Sequence, residues 1–184
     1  MSQTAAVQAT HTALIVAVPA AEDAVGALRA RLDSSASWGV PAHVTLLFPF
    51  LAPDRIDDHV LSAVRETVVS VPRFDLALSR TAWFGEKVLW LRPEPDAPLR
   101  ALIAGLCRRF PQVRPYGGEI AVDDVVPHLT VGHDHPRPVL DAAAAEVGAR
   151  LPIRTSADAV RLIIGRPEPG GSWRTRAEFP LGPA

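Results

Sequence analysis

Residues 41–46, Pro-Ala-His-Val-Thr-Leu, and residues 126–131, Val-Pro-His-Leu-Thr-Val, repeat one short pattern at two distant places in the chain. Each reads histidine, apolar, threonine, apolar, with a proline one or two residues before the histidine. Side chains alternate between the two faces of a β-strand, so a strand at either place would carry the histidine and the threonine on one face. We therefore expect two strands that each present an imidazole and a hydroxyl opposite an apolar face. The four polar residues are His43, Thr45, His128 and Thr130.

The overall composition is that of a soluble globular protein. The chain has 184 residues, of which 48% are hydrophobic and 21% charged, and this is enough to bury one core. A formal net charge of −1 provides no field that could hold long nucleic acid through phosphate contacts alone. We therefore expect no long duplex as a ligand, and only a nucleotide, a short nucleic acid or the end of an RNA strand as a partner. The single cysteine, Cys107, excludes an internal disulfide and fits a reducing compartment.

The N-terminal region indicates where the domain begins and in which cellular compartment the protein is expected. Residues 13–21 are apolar and small, but no basic segment precedes them and they are too few to span a membrane. We expect a cytoplasmic monomer with no membrane partner. Residues 1–11 are polar and small and are predicted to form a disordered tail, which leaves residues 12–184 as a single domain.

Helix and strand patterns occur in the same order in both halves of the chain. Strands are predicted at residues 12–18, 43–51, 72–78, 81–84, 87–92, 128–131, 153–155, 159–164 and 173–179. Helices are predicted at residues 20–32, 57–69, 96–110 and 138–149. The order strand, helix, loop, motif strand, helix, strand thus appears twice, which indicates an internal duplication. A duplicated unit predicts two lobes, each a small sheet backed by helices, with the motif strands facing each other across a groove.

The two tetrapeptides at residues 43–46 and 128–131 resemble the paired H-x-T-x motifs of the two-histidine (2H) phosphoesterase superfamily. The longer run at residues 43–51, His-Val-Thr-Leu-Leu-Phe-Pro-Phe-Leu, is similar to its bacterial 2′-5′ RNA ligase-like branch. This resemblance implies an α+β, bilobed, duplicated fold with two small, mostly antiparallel sheets flanked by helices around a central groove. It also implies chemistry on 2′,3′-cyclic phosphates or 2′-5′ phosphodiester bonds, with no metal and no other cofactor.

The chemistry also follows from the residue types. Opening a cyclic phosphodiester needs a base that takes a proton from water and an acid that protonates the leaving ribose oxygen. Imidazole suits both tasks because it titrates near neutral pH. The hydroxyls of Thr45 and Thr130 can donate to the non-bridging phosphate oxygens. We expect hydrolysis of a 2′,3′-cyclic phosphate on a nucleotide or RNA end to a 2′-phosphate. By analogy only, His43 would protonate the leaving oxygen and His128 would activate water.

Three alternatives remain open from the sequence. The same scaffold could cleave or join 2′-5′ bonds or open a cyclic ADP-ribose phosphate, or the groove could bind a nucleotide without turning it over. A metal site is the main rival, because three histidines surround one aspartate and zinc accepts both ligand types. These residues are His128, His133, Asp134 and His135. In a regular strand His133 would face away from His128, although Gly132 could introduce a bulge that redirects it.

Six further residues are predicted to contact the substrate. His133 stands five residues after His128, as Phe48 stands five after His43, so we expect equivalent groove positions that contact a base and a phosphate or sugar. A core position fits Phe48 equally well. The remaining four lie in loops or at strand ends and are Trp38, Trp83, Tyr116 and Arg80. Many cyclic phosphodiesterases of the family carry a basic residue directly after the second motif, whereas this chain has Val-Gly-His at residues 131–133.

Overall fold

Two four-stranded antiparallel sheets and five helices form the fold in the computed structural model, which describes residues 8–170 and 173–184. The strands are β1 His11–Ala17, β2 His43–Leu47, β3 Phe74–Phe84, β4 Val88–Glu94, β5 Leu129–His133, β6 Ile153–Ala157, β7 Ala159–Gly165 and β8 Arg174–Pro180. The helices are α1 Glu22–Leu32, α2 Ser34–Ser37, α3 Asp58–Val69, α4 Ala97–Arg109 and α5 Arg137–Gly148. The predicted α+β class with antiparallel sheets is confirmed.

The sheets are not built from one chain half each. Sheet 1 has the order β2-β1-β7-β8 and sheet 2 the order β5-β4-β3-β6, so each motif strand lies at a sheet edge. Strand β3, from the first half, pairs with β4 across a short turn and thereby joins sheet 2. Helix α1 follows β1 but packs against β5 in the other sheet. The predicted pair of small antiparallel sheets is confirmed, but each sheet takes strands from both halves of the chain, because neighbouring strands pair through the hairpin.

Two predicted boundaries differ from the structure. The separate strands expected at residues 72–78 and 81–84 are one strand, and the expected break falls at Ser79, where the pairing register with β4 shifts by one residue. Strand β1 begins at His11, which was predicted to end the disordered tail. Residues 1–7 of that predicted tail lie outside the described residues. Among the described residues, no helix has the length and apolar character needed to cross a bilayer.

Both motif strands carry a bulge directly after the threonine. The extra residue is Leu46 in β2 and Val131 in β5. A bulge lets two consecutive side chains turn to the same face, and Leu46–Leu47 and Val131–Gly132 are all buried against the core. A side chain on Gly132 would meet the Leu32 Cβ atom at 2.7 Å, so α1 can approach β5 this closely only at a glycine. After each bulge, residues 48 and 133 return to the face that carries the threonine.

Candidate active site

The backbone fixes the two motif histidines in the same tautomer. The Nδ1 atom of His43 lies 2.7 Å from the carbonyl oxygen of Pro41, and Nδ1 of His128 lies 2.7 Å from the carbonyl oxygen of Val126. A carbonyl oxygen only accepts hydrogen bonds, so Nδ1 of each neutral ring must carry the proton. The Nε2 atom of each ring is then the nitrogen that can take or give a proton.

The motif threonines supply two hydroxyls next to these rings. Thr45 and Thr130 follow their histidines by two positions, lie on the same strand faces and are half-buried. Within the part of the chain that the structure describes, neither hydroxyl has a hydrogen-bond partner. A β-branched side chain in a strand has few rotamers, so each hydroxyl is held in place by its own packing. The two hydroxyls are therefore available to donate to a bound anion.

Burial keeps both imidazoles neutral in the free protein. It lowers the pKa of His43 to about 4, and the positive charge of Arg29 lowers that pKa further. The charge of His128 also acts on His43, so the two rings lie within electrostatic reach of each other. Burial likewise lowers the pKa of His128. Since desolvation disfavours the charged form, both rings are neutral at neutral pH, and one of them must gain a proton before it can act as an acid.

An apolar cleft opens beside the first motif. Its volume is about 130 Å³, and besides His43 and Thr45 its walls include the aromatic side chains of Trp38, Phe48 and Trp173. The indole of Trp173 donates a hydrogen bond of 2.8 Å to the carbonyl oxygen of Arg166 and is thereby fixed. Flat apolar slots between aromatic rings suit nucleobases, which stack with little regard for base identity.

Aromatic rings also surround the second histidine. The centroid of the His128 ring lies 4.9 Å from that of Phe84 and 5.9 Å from that of Trp90, both edge-on, and 6.5 Å from that of Tyr116. Burial raises the pKa of Tyr116 to about 12, so its phenol stays neutral and can donate a hydrogen bond. Trp90 is buried and lies on the groove face of sheet 2 beneath the Phe84 ring.

His133 returns to the groove face after the bulge, but its ring contacts the N-terminus of α2. Its Nε2 lies 3.2 Å from the Ser34 hydroxyl and 3.6 Å from Asp33, and its Nδ1 lies 2.8 Å from Asp134. The interaction with the nearby Asp33 carboxylate is the main reason that the pKa of His133 is raised to about 9. His133 is therefore a cation at neutral pH whose charge is offset by two carboxylates.

The Asp33 side chain also contacts Arg29, and this second contact links His133 to the first motif. It pairs with Arg29 at 3.0 Å, and both side chains are almost fully buried. Two nitrogens of the Arg29 guanidinium donate to the carbonyl oxygen of Val40, at 3.3 and 3.2 Å. Val40 directly precedes the first motif, so the chain of contacts joins the end of β5 to the start of β2. Sequence reasoning missed this pair because the spacing of Arg29 and Asp33 also fits an exposed helix face.

The alternative metal cluster of His128, His133, Asp134 and His135 does not form, because aromatic side chains surround the His128 ring. Among residues 8–170 and 173–184 there is no group of three or more histidine, cysteine, aspartate or glutamate side chains placed to hold a metal ion. His133 and Asp134 contact each other, and the second carboxylate at His133 comes from Asp33.

Comparison with known families now identifies the fold. A family model described as the 2′-5′ RNA ligase superfamily matches residues 17–167, a span that includes both motifs. The chain belongs to the 2′-5′ RNA ligase superfamily. The resemblance to 2H phosphoesterases expected from the two tetrapeptides is thereby confirmed.

Solved structures agree with membership of the 2′-5′ RNA ligase superfamily at the level of the fold. Escherichia coli LigT, in its complex with 3′-AMP, aligns with a TM-score of 0.61 at 16% identity, over 95% of this chain and 99% of LigT. TT0787 of Thermus thermophilus aligns with a TM-score of 0.63 at 18% identity, over 93% of this chain and 97% of TT0787. A comparison with curated protein sequences gave no significant match.

The structure brings most of the predicted contact residues to the groove of this superfamily member. Trp38 and Phe48 line the apolar cleft, and Tyr116 lies over His128. Arg80 lies on the groove face of sheet 2. Trp83 does not reach the groove, because its pairing with Leu89 puts it on the core face, where the Arg137 guanidinium covers its ring at 3.9 Å.

Three groove residues were not predicted as site residues from the sequence. Phe84 lies on the same face of β3 as Arg80, and Arg92 lies opposite Arg80, so strand periodicity combined with the sheet order would have indicated them. For Trp173 the sequence pattern gives a weaker indication. A side chain on Gly165 would meet the Trp173 ring at 2.6 Å, so the indole can pack here only against a glycine.

Proposed function

We propose that the protein hydrolyses the 2′,3′-cyclic phosphate of a nucleotide or RNA end to a 2′-phosphate, with its own side chains as acid and base. One observation carries the proposal. Two histidines on different sheets have Nδ1 bound by a carbonyl oxygen two residues earlier, and each shares a strand face with a threonine. Such a pair supplies two matched proton-transfer groups and two hydroxyl donors around one phosphate.

The proposed reaction is an in-line displacement at phosphorus. Nε2 of neutral His128 takes a proton from water while the water oxygen bonds to phosphorus. The bond between phosphorus and the 3′ oxygen breaks, and that oxygen receives a proton from Nε2 of protonated His43. Thr45 and Thr130 donate to the non-bridging oxygens. One water is consumed, the products are a 2′-phosphate and a free 3′-hydroxyl, and the two rings exchange protons with solvent before the next turnover.

The nucleoside part of the substrate is proposed to occupy the apolar cleft. Trp38, Phe48 and Trp173 would stack on the base while His43 and Thr45, at the same wall, reach the phosphate. The crystal of Escherichia coli LigT with 3′-AMP supports a nucleotide as the ligand of this fold.

The test is turnover of the four nucleoside 2′,3′-cyclic monophosphates by the native protein in excess chelator and ¹⁸O-water. We expect only nucleoside 2′-phosphate as product, with one ¹⁸O atom in its phosphate and a rate that the chelator does not change. A 3′-phosphate product would show that the 2′ oxygen, and not the 3′ oxygen, is the leaving group. Loss of activity with chelator would contradict catalysis by side chains alone. Binding of the cyclic nucleotides without turnover would instead favour a nucleotide-binding module.

The lowered pKa values of both histidines predict an acidic optimum. The reaction requires one ring protonated and one neutral, so kcat/KM of the free protein should be bell-shaped between the two apparent pKa values of the pair. Since the pKa of His43 is lowered to about 4 and that of His128 lies below 6.5, we expect the maximum below pH 6.5. An anionic phosphate favours protonated rings, so the maximum of kcat should lie at higher pH. A kcat/KM maximum above pH 7 would contradict this assignment.

The family description points to a second reaction on the same groups. If a ribose 5′-hydroxyl replaced water as the nucleophile, the same acid and base would form a 2′-5′ phosphodiester bond from the cyclic phosphate. An oligonucleotide with a free 5′-hydroxyl, added to the assay above, tests this reaction. A joined product resistant to 3′-5′-specific nucleases would support it, and hydrolysis alone would exclude it as the main activity.

A further inference from the structure

The groove face of sheet 2 carries a positively charged band beside the second motif. Strand β4 presents Trp90, Arg92 and Glu94 on the face that carries Thr130, because Trp90 pairs with Thr130 and side chains alternate. On the next strand Arg80 lies directly opposite Arg92. Two arginines and one glutamate thus lie together on this face, and one positive charge is left over.

This arrangement is not explained by stability. Two like charges directly opposite each other in an antiparallel pair are unfavourable. Glu94 relieves part of the repulsion, since one of its oxygens lies 3.0 Å from Arg80 and 3.5 Å from Arg92. All three side chains are 42–60% exposed, and exposed ion pairs contribute little to folding. The Ser79 hydroxyl binds the other oxygen of Glu94, so the carboxylate holds both guanidinium groups in place.

The band lies within one side chain's reach of the candidate catalytic ring. Trp90 is opposite Thr130 and its ring centroid lies 5.9 Å from that of His128, and Arg92 follows Trp90 by two positions on the same face of β4. Residues two positions apart in a strand are separated by about 7 Å along it. The other cation next to the second motif, His133, is already paired with Asp33 and Asp134. Arg92 and Arg80 therefore supply the unbalanced positive charge on this side of the groove.

We propose that Arg92 and Arg80 bind a second phosphate group of the substrate, separate from the phosphate that reacts. The proposal rests on the proposed function for the reacting phosphate. Guanidinium groups bind phosphate through two parallel hydrogen bonds, and here two of them are held side by side by Glu94. The second phosphate is either a 5′-phosphate on the same nucleotide or the diester of the preceding nucleotide. Farther along the same face Arg154 lies opposite Ala77 and Asp75 lies opposite Ser156, so these two opposite charges leave the net charge of the band unchanged.

The experiment compares kcat/KM for three substrates that share one reacting group. They are a nucleoside 2′,3′-cyclic phosphate, the same compound with a 5′-phosphate, and a dinucleotide that ends in a 2′,3′-cyclic phosphate. For the native protein we expect the second phosphate to raise kcat/KM about tenfold or more, as charged hydrogen bonds do. A higher kcat/KM for both larger substrates would show that the site accepts either kind of second phosphate. A higher kcat/KM for the dinucleotide alone would show that the site binds the internucleotide diester.

Two variants and a control complete the test. In Arg92→Gln and Arg80→Gln the ratio of kcat/KM between two-phosphate and one-phosphate substrates should fall about tenfold, and this ratio should also fall with salt in the native protein. Arg31→Gln, which removes an equally exposed arginine paired with Glu146, should keep the native ratio. A native ratio near one, or an unchanged ratio in Arg92→Gln, overturns the proposal.

Failure of the proposed function can be separated from failure of this inference. If the native protein turns over none of the three substrates, the hydrolysis proposal fails while the phosphate site is tested by binding. Calorimetry with a nucleoside 2′-monophosphate and the corresponding 2′,5′-bisphosphate then gives the affinity ratio. Tighter binding of the bisphosphate that is lost in Arg92→Gln supports the site, and equal binding of the two ligands overturns it.

Discussion

Replacement of His43 or His128 by alanine is expected to lower kcat on a nucleoside 2′,3′-cyclic phosphate by about 10²–10⁴-fold, the usual contribution of a positioned acid or base. The double variant should be little slower than the worse single variant, because groups that act as a unit have non-additive effects. His59→Ala is the matched control, since it removes an exposed imidazole on α3. Steady-state kinetics at saturating substrate measure all four proteins. Native rates in either single variant would contradict the proposed mechanism.

An aryl phosphodiester can separate the acid from the base. Its p-nitrophenolate leaving group needs no proton, so loss of the acid should matter much less with this substrate. If His43 is the acid, His43→Ala should lose less than about tenfold on the aryl diester while His128→Ala keeps its full loss. The opposite pattern would exchange the two roles, and equal losses would exclude an acid–base division of labour. Circular dichroism and the unfolding midpoint confirm that each variant is folded.

Asp33→Ala is expected to cost about 3–5 kcal/mol of unfolding free energy, because it leaves the buried charge of Arg29 without its partner. Domains of this size are typically stable by only about 5–15 kcal/mol, so the loss would be large. Urea denaturation measures it directly. The variant should also show lower kcat/KM, since Arg29 would no longer be held against the carbonyl oxygen of Val40 just before the first motif.

The chain contains a matched control for this prediction. Arg137 and Asp141 form a pair with the same order and spacing on α5, with 2.8 Å between nitrogen and oxygen, but both side chains are exposed. Asp141→Ala should therefore change the unfolding free energy by only about 0–1 kcal/mol. Asp33→Asn keeps the size of the side chain and an oxygen near Ser35, and it replaces Asp33→Ala in the test if that variant does not fold. Equal small changes in unfolding free energy at positions 33 and 141 would show that burial does not strengthen the Arg29–Asp33 pair.

Local pattern predicted the parts of the site that lie within one strand. The alternation of histidine, apolar and threonine residues puts His43 and Thr45 on one face for reasons of backbone geometry alone, and the same holds for His128 and Thr130. Helix boundaries were also close, because amphipathic spacing and end residues are local signals. For Phe48 a core position and a groove position fitted the sequence equally well. The structure places its ring in the wall of the cleft, because the bulge at Leu46 turns it to the threonine face.

Contacts between distant segments could not be predicted in the same way. Trp173 joins the cleft only because β7 and β8 complete the sheet of β1 and β2. Trp83 and Phe84 are neighbours in the chain but lie on opposite faces, and which face meets the groove depends on the pairing of β3 with β4. Arg29 has the spacing of a surface residue on α1, yet it is buried and bonds to Asp33, Ser35 and Val40 of the segment that follows the helix.

The sequence by itself determined the two strands with their imidazoles and hydroxyls, the α+β class and the family, because each depends on residues close together in the chain. The tertiary structure alone decided the exchange of strands between the sheets, the burial that lowers the pKa of both histidines, and the pairing of Arg80 with Arg92 on the groove face. These features depend on which strands pair and which helix covers them. Pairing and packing follow from the free energy of the whole fold, so no local pattern encodes them.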